Sequence, residues 1–151
     1  MNKRKFDLII FDWDGTLLNS KEQLNKVNLF EGVEYGIKEL KKQGYLLSVA
    51  TGESRVGFNN SIKQTSLASC FDQTKTSNDC FSKPHPQMIL EILEELMVLP
   101  EKTLMVGDSV YDLLMAKNAG VSSLAILYGS QKREQLQGNE ALGYINNSYE
   151  L

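Results

Sequence analysis

Two cysteines, one histidine, three prolines and one tryptophan in 151 residues leave little material for several common chemistries. Cys70 and Cys80 fit no zinc-knuckle spacing and only His85 could join them, so a structural zinc site is not expected. With a single histidine, Ser-His-Asp and Cys-His mechanisms would both have to run through His85. No apolar run approaches membrane-spanning length. The stretch FDLIIF, Phe6 to Phe11, is too short and too interrupted by Asp7 for a signal-peptide core. Charge of one sign is scarce as well. The formal net charge is −3, and no basic cluster follows Lys3, Arg4 and Lys5, which read as a solvated terminus, so no nucleic-acid binding is expected. Together these absences predict a cytoplasmic protein with free thiols and no membrane association.

What is present suits one folded domain over residues 1–151, with 42% hydrophobic and 23% charged residues. Short apolar, β-rich runs alternate with longer segments of helical period, the pattern of βαβ units around a parallel sheet. Strands are expected at FDLIIF, at YLLSVAT (Tyr45 to Thr51), at TLMVGD (Thr103 to Asp108) and at SLAIL (Ser123 to Leu127), with a short one over Phe71 to Thr76. Helices are expected from Gly32 to Gln43, from Glu53 to Ser66, after Pro84 on the stripe Met88, Ile89, Ile92, Leu93 and Leu96, and from Tyr111 to Asn118. In the tail, Leu136, Leu142 and Ile145 suggest a final helix or strand against the sheet.

Asp12, Asp108 and the hydroxyl of Thr51 all fall at C-terminal ends of predicted strands, where open α/β sheets bind ligands. Taken singly, Asp14-Gly15-Thr16 is a common turn, Thr51-Gly52 a common approach to a helix, and Ser109 a serviceable helix cap. Taken together, Asp12, Asp14, Asp108 and Asp112 would repel one another if the sheet gathered them, and a divalent cation is the obvious means of neutralisation.

In order along the chain, Asp12-Trp13-Asp14-Gly15-Thr16-Leu17, Thr51, Lys83-Pro84 and Gly107-Asp108-Ser109 followed by Asp112 resemble the four motifs of the haloacid dehalogenase-like (HAD) hydrolase superfamily. SKPHPQMI, GDSVYDLLMAKNAGV and Tyr128-Gly129 lean towards its phosphoglycolate phosphatase-like branch. The likeness runs from Phe6 to about Gly129. It implies a Rossmann-like three-layer α/β/α sandwich with a mainly parallel sheet, and a magnesium-dependent phosphatase working through an aspartyl-phosphate.

By this resemblance Asp12 is the nucleophile and Asp14 the general acid and base. Thr51 and the amide of Gly52 bind phosphate oxygens, and Lys83 balances the phosphoryl charge. Mg²⁺ is held by Asp12, the backbone carbonyl of Asp14 and Asp108; Asp112 either ligates through water or orients Lys83. Ser109 either supports Lys83 or caps its helix. Trp13 is given no chemistry, and His85 a structural or rim role.

The chain departs from that branch in its spacing. Residues 15–50 and 52–82 leave no room for either kind of cap domain that closes over such sites. An open site implies a phosphorylated macromolecule as substrate, a phosphorylated small molecule covered by a neighbouring subunit of a homo-oligomer, or promiscuous activity. Mutase chemistry, which must retain its intermediate, is disfavoured. The competing expectation is a binding or regulatory protein that kept the core and lost its cap.

Overall fold

The computed structural model describes residues 5–19, 27–129, 136 and 141–146. Six strands, β1 (Leu8–Phe11), β2 (Leu46–Ala50), β3 (Gln73–Lys75), β4 (Thr103–Gly107), β5 (Ser122–Ile126) and β6 (Gly143–Ile145), form one sheet in the order β3-β2-β1-β4-β5-β6. Every pairing is parallel. Among the described residues, α1 (Val33–Lys42), α2 (Arg55–Ile62), α3 (Gln87–Leu96) and α4 (Val110–Ala119) connect or flank the strands.

The core follows from the two-residue period of a central strand. All four residues of β1 are buried. Ile9 and Phe11 point to one face and pack with Val33 and Ile37 of α1 and Phe58 of α2. Leu8 and Ile10 point to the other, into Met88, Ile89 and Ile92 of α3 and Met115 of α4. Both faces are therefore covered by helices, which gives the three-layer, Rossmann-like α/β sandwich expected from the sequence.

The chain moves outward through β1, β2 and β3, then returns through α3 to place β4 on the free side of β1. That reversal opens a crevice beyond the carboxyl ends of β1 and β4, the usual ligand position of this architecture. Asp12, Asp14, Asp108 and Ser109 emerge directly into it.

Most element ends match the sequence expectations within a residue or two. The largest difference is α2, which covers Arg55–Ile62 and stops short of Ser66. Only Phe58 and Ile62 of that helix are buried, so its tertiary packing is slight. In the tail, β6 adds a strand beside β5 and buries Ile145, and Leu136 is buried too. Leu142 differs from expectation, being 53% exposed.

No cap domain occupies the segment between β1 and α1. Leu18 bridges Leu29, and the Asn19 amide donates to the Asn28 carbonyl at 2.7 Å. Residues 20–27 between them are too few for a folded domain. Between β3 and α3 only residues 76–86 remain, and they begin with a tight turn in which the Asp79 amide donates to the Thr76 carbonyl.

Trp13 is a core residue. It is fully buried and meets the Phe58 ring edge-on at 5.3 Å. Trp13→Ala should cost about 3–5 kcal/mol in urea denaturation. Trp13→Phe should cost less, because the buried indole N–H has no hydrogen-bond partner to lose. A Trp13→Ala loss below about 1 kcal/mol would contradict this placement.

Candidate active site

The tight turn after β1 determines how the first two carboxylates are presented. The amides of Thr16, Leu17 and Leu18 all donate to the Trp13 carbonyl, and Gly15 takes a left-handed φ of 82°. A side chain at Gly15 would be strained there, and its Cβ would lie 2.1 Å from Oδ2 of Asp108. Trp13 thus turns into the core while Asp12 and Asp14 both face the crevice.

Lys83 reaches the same point from the loop before α3. Its ammonium donates to Asp12 Oδ1 at 2.8 Å and to Asp112 Oδ1 at 2.5 Å. The other oxygen of Asp112, Oδ2, accepts from the amides of Asp108 and Ser109 and from the Ser109 hydroxyl, each at 3.2 Å. Ser109 in turn accepts from the Asp112 amide, forming a capping box at the start of α4. Asp112 is fully buried and accepts hydrogen bonds on both oxygens; Ser109 is the helix cap.

Carboxylate oxygens of Asp12, Asp108 and Asp112 lie within 4.8 Å of one another. Gly15 and Gly129 wall in Asp108 so closely that a Cβ on either would collide with it. At Gly129 that atom would fall 2.4 Å from both Asp108 Cβ and the Gly15 carbonyl oxygen. Gly129→Ala should therefore displace Asp108 and destabilise the protein by about 1–3 kcal/mol. Thermal denaturation with and without Mg²⁺ should show both a lower midpoint and a smaller rise on adding metal; an unchanged response to metal would contradict the role of this cradle.

On the β2 side, Thr51 is buried and its hydroxyl accepts from the Glu53 amide at 3.2 Å. Gly52 is exposed, with open space where a Cβ would project. Thr51, Gly52 and Lys83 share one cleft of about 590 Å³ with Asp12, Asp14 and Asp108. The structure thus gathers every sequence-predicted site residue except Asp112 onto the cleft wall, and it holds Asp112 directly behind Lys83.

Electrostatic balance in the cleft is poor. Among the described residues, one ammonium faces Asp12, Asp14, Asp108 and Asp112, and Glu53 adds a fifth carboxyl on the wall. Burial, then repulsion from Asp112 and Asp108, pushes Asp12 well above the usual carboxylate range despite Lys83. Burial, then Asp108, raises Asp14. Burial alone would lower Lys83, but Asp112 and Asp12 outweigh it and raise its pKa, so the ammonium stays charged. These directions are those of a site short of positive charge.

The sequence pattern marks Glu53 only as the start of a helix. The structure puts it on the cleft wall, with burial and then Asp14 raising its carboxyl to about 7. Its position immediately after Thr51-Gly52 is the one signal in the sequence that points there. Because the folded pKa exceeds the ordinary 4.5, ionising Glu53 costs stability that is intact below about 4.5 and lost as pH rises to about 7. In metal-free protein, Glu53→Gln should match wild type in Tm at pH 4 and exceed it increasingly up to neutral pH. A constant difference across that interval would contradict the shift.

Phe30, Tyr111, Tyr128 and Asn19 also line the cleft. Phe30 meets Tyr128 edge-on at 4.7 Å, and the Tyr128 hydroxyl donates to the Thr16 carbonyl at 2.9 Å. His85 stands outside the cleft lining, its Nδ1 accepting from the Gln87 amide at 3.1 Å and its ring against Phe81. That geometry is structural.

A doubly wound parallel sheet with three buried carboxylates and one ammonium gathered at its switch point places a cluster of oxygen donors where this architecture binds ligands. Comparison with known proteins narrows the class. The sequence model described as haloacid dehalogenase-like hydrolase matches residues 20–126, and the chain belongs to that family.

Among curated relatives, pyrophosphatase PpaX of Bacillus mycoides (strain KBAB4) is 36% identical over 112 residues, covering 74% of this chain and 52% of the relative. Probable phosphatase IndB of Dickeya dadantii (strain 3937) is 36% identical over 113 residues, covering 74% of this chain and 49% of the relative. The chain thus spans about half the length of these relatives. A predicted phosphoglycolate phosphatase from Haemophilus somnus 129pt superimposes with a TM-score of 0.89 at 18% identity, covering 99% of this chain and 97% of that one. A haloacid dehalogenase-like hydrolase from Bacteroides fragilis gives 0.88 at 18%, covering 97% and 99%. At such identities these structures establish the shared fold. No helix among the described residues is long and apolar enough to cross a membrane.

Proposed function

We propose that this chain is a phosphomonoester hydrolase that works through an aspartyl-phosphate on Asp12. The observation that carries the reading is the pair Asp12 and Asp14, two residues apart at the end of the central strand, facing one cleft with Lys83 2.8 Å from Asp12. The names of the curated relatives, a pyrophosphatase and a phosphatase, support it.

Asp12 Oδ attacks phosphorus, forming a new O–P bond as the bond to the leaving oxygen breaks. The leaving oxygen takes the proton of Asp14, whose raised pKa suits a carboxyl that must carry one. Water then attacks phosphorus, yields its proton to Asp14, and the Asp12 O–P bond breaks to release phosphate. Thr51 and the Gly52 amide hold the non-bridging oxygens, and Lys83 opposes their charge. Asp112 positions Lys83, since its Oδ1 is bound to that ammonium and its Oδ2 to the start of α4.

The donor set fits Mg²⁺, a hard cation that prefers oxygen. Asp12, Asp108 and the backbone carbonyl of Asp14 would hold it; Asp112, although its oxygen lies within the same 4.8 Å group, is engaged elsewhere. When bound, the ion supplies the positive charge that the four carboxylates and a phosphate lack. The uncapped cleft favours either a phosphorylated group on a macromolecule or a small phosphate ester covered by a second copy of the chain. The two free thiols, Cys70 and Cys80, are consistent with a cytoplasmic setting.

The test is phosphate release from p-nitrophenyl phosphate, sugar phosphates, nucleotides and phosphopeptides, with Mg²⁺ or with EDTA. Turnover that EDTA abolishes supports the proposal. Absence of turnover across the panel favours a binding protein that retains the core.

A further inference from the structure

Among the described residues, three aromatic side chains line the cleft that holds Asp12, Asp14 and Lys83: Phe30, Tyr111 and Tyr128. Two of them are fixed to the turn that presents Asp14. The Phe30 amide donates to the Leu17 carbonyl at 3.0 Å, and the Tyr128 hydroxyl donates to the Thr16 carbonyl at 2.9 Å. Their rings meet edge-on at 4.7 Å, with an interplanar angle of 70°. Both are half-buried against the cluster that includes Val33, Ile37 and Phe58, so the pair is a preformed wall rather than two loose side chains.

Tyr111 comes from the other face of the sheet. It sits in the first turn of α4, the helix whose Met115 and Ala116 pack with Leu8 and Ile10. The residue lines the cleft and is 54% exposed, so its ring retains apolar area to bury against a ligand. Aromatic walls around a few polar groups that fix orientation are the usual makeup of a small-molecule pocket, and about 590 Å³ lies within the usual span of roughly 300–1,000 Å³.

We infer that Phe30, Tyr128 and Tyr111 form the leaving-group subsite and that the preferred substrates are aryl phosphomonoesters, whose ring enters between the Phe30–Tyr128 wall and Tyr111. This rests on the phosphatase reading above, in which Asp14 touches the leaving oxygen. The wall is bonded to residues 16 and 17, immediately beyond that acid, so a ring attached directly to the leaving oxygen comes up against it. A planar ring meets aromatic neighbours edge-on or offset-stacked with matched quadrupoles, and an alkyl chain offers no such match. The aryl group has two sources, a free aryl phosphate or a phosphotyrosine side chain of a protein, and both present the same chemistry to these rings.

The experiment compares kcat/KM of the full chain with Mg²⁺ for phosphotyrosine and phosphoserine, each as the free amino acid and within one peptide frame, in wild type, Tyr111→Ala, Tyr111→Phe and Phe30→Leu. A phenol leaves more readily than an alkanol in all four proteins, so the quantity read is the change in the phosphotyrosine-to-phosphoserine ratio from one protein to the next. That ratio should fall about threefold to tenfold in Tyr111→Ala and Phe30→Leu and hold in Tyr111→Phe. Tyr111 is exposed, so its replacement tests the subsite without disturbing the core. Comparable rates on free and peptide-borne phosphotyrosine would make the free aryl ester a sufficient substrate, and hydrolysis of the peptide alone would make the substrate a phosphotyrosyl protein; the ratio falls in either case. Hydrolysis of phosphoserine or a sugar phosphate with the ratio unchanged across the four proteins, or with phosphotyrosine refused, would overturn the aromatic subsite and leave the phosphatase reading standing. If wild type turns over none of these esters, both fall.

Discussion

Asp12→Asn should lower phosphoester turnover by at least about 10³-fold while leaving the protein folded. The substitution removes the attacking oxygen and one proposed metal ligand together. It also removes a charge that the fold tolerates poorly. Asp12 is 7% exposed, and burial with repulsion from Asp112 and Asp108 outweighs the attraction of Lys83. In EDTA, the variant should therefore melt at or above the wild-type temperature. Adding Mg²⁺ should then raise wild type more than the variant, because only wild type keeps every ligand. A variant that is inactive and also melts well below wild type in EDTA would mean that Asp12 has a structural role the electrostatics do not show.

Removing the opposite charge should have the opposite effect on stability. Lys83→Ala should also disable turnover, and it should destabilise the metal-free protein by about 3–5 kcal/mol at neutral pH. The ammonium is the only counter-charge on Asp12 and Asp112 among the described residues, at 2.8 and 2.5 Å, and its side chain is only 11% exposed. Without it, two buried carboxylates face each other unpaired.

The pH dependence has a definite sign. Loss of Lys83 drives the folded pKa of Asp12 still higher above its unfolded value, so the penalty is absent below roughly pH 4 and grows as pH rises. Equilibrium denaturation of Lys83→Ala and the volume-matched Lys83→Met should show a deficit that shrinks on acidification and on adding Mg²⁺. A deficit independent of both would point to lost packing of the lysine stem.

Much of the fold and site is legible in the sequence because the relevant pattern is local. A buried parallel strand is a short apolar run, and the residues immediately after it must emerge at the sheet's carboxyl edge; Asp12, Thr51 and Asp108 can be placed on that rule alone. Helix α3 is marked by Met88, Ile89, Ile92 and Leu93, all of which are buried. Helix α2 carries no such mark, because only two of its eight residues face the core.

The details of the site that the sequence leaves open are those that depend on distant groups. Whether Asp112 faces a metal or Lys83 cannot follow from its spacing to Asp108; it depends on a lysine 29 positions earlier. Trp13 lies between two site residues, yet its destination is decided by Phe58 across the core. Glu53 resembles an ordinary first-turn acid, and only burial beside Asp14 makes it unusual.

The central claim is that Asp12 becomes covalently phosphorylated. Wild-type protein turning over p-nitrophenyl phosphate with Mg²⁺ should be quenched in acid, digested and mapped by mass spectrometry. The account predicts one phosphoryl group on the peptide containing Asp12, located on that residue, lost on standing at neutral pH and absent from Asp12→Asn. Turnover with an unmodified Asp12 peptide at every quench time, together with an active Asp12→Asn protein, would show that water attacks the ester directly and would contradict it.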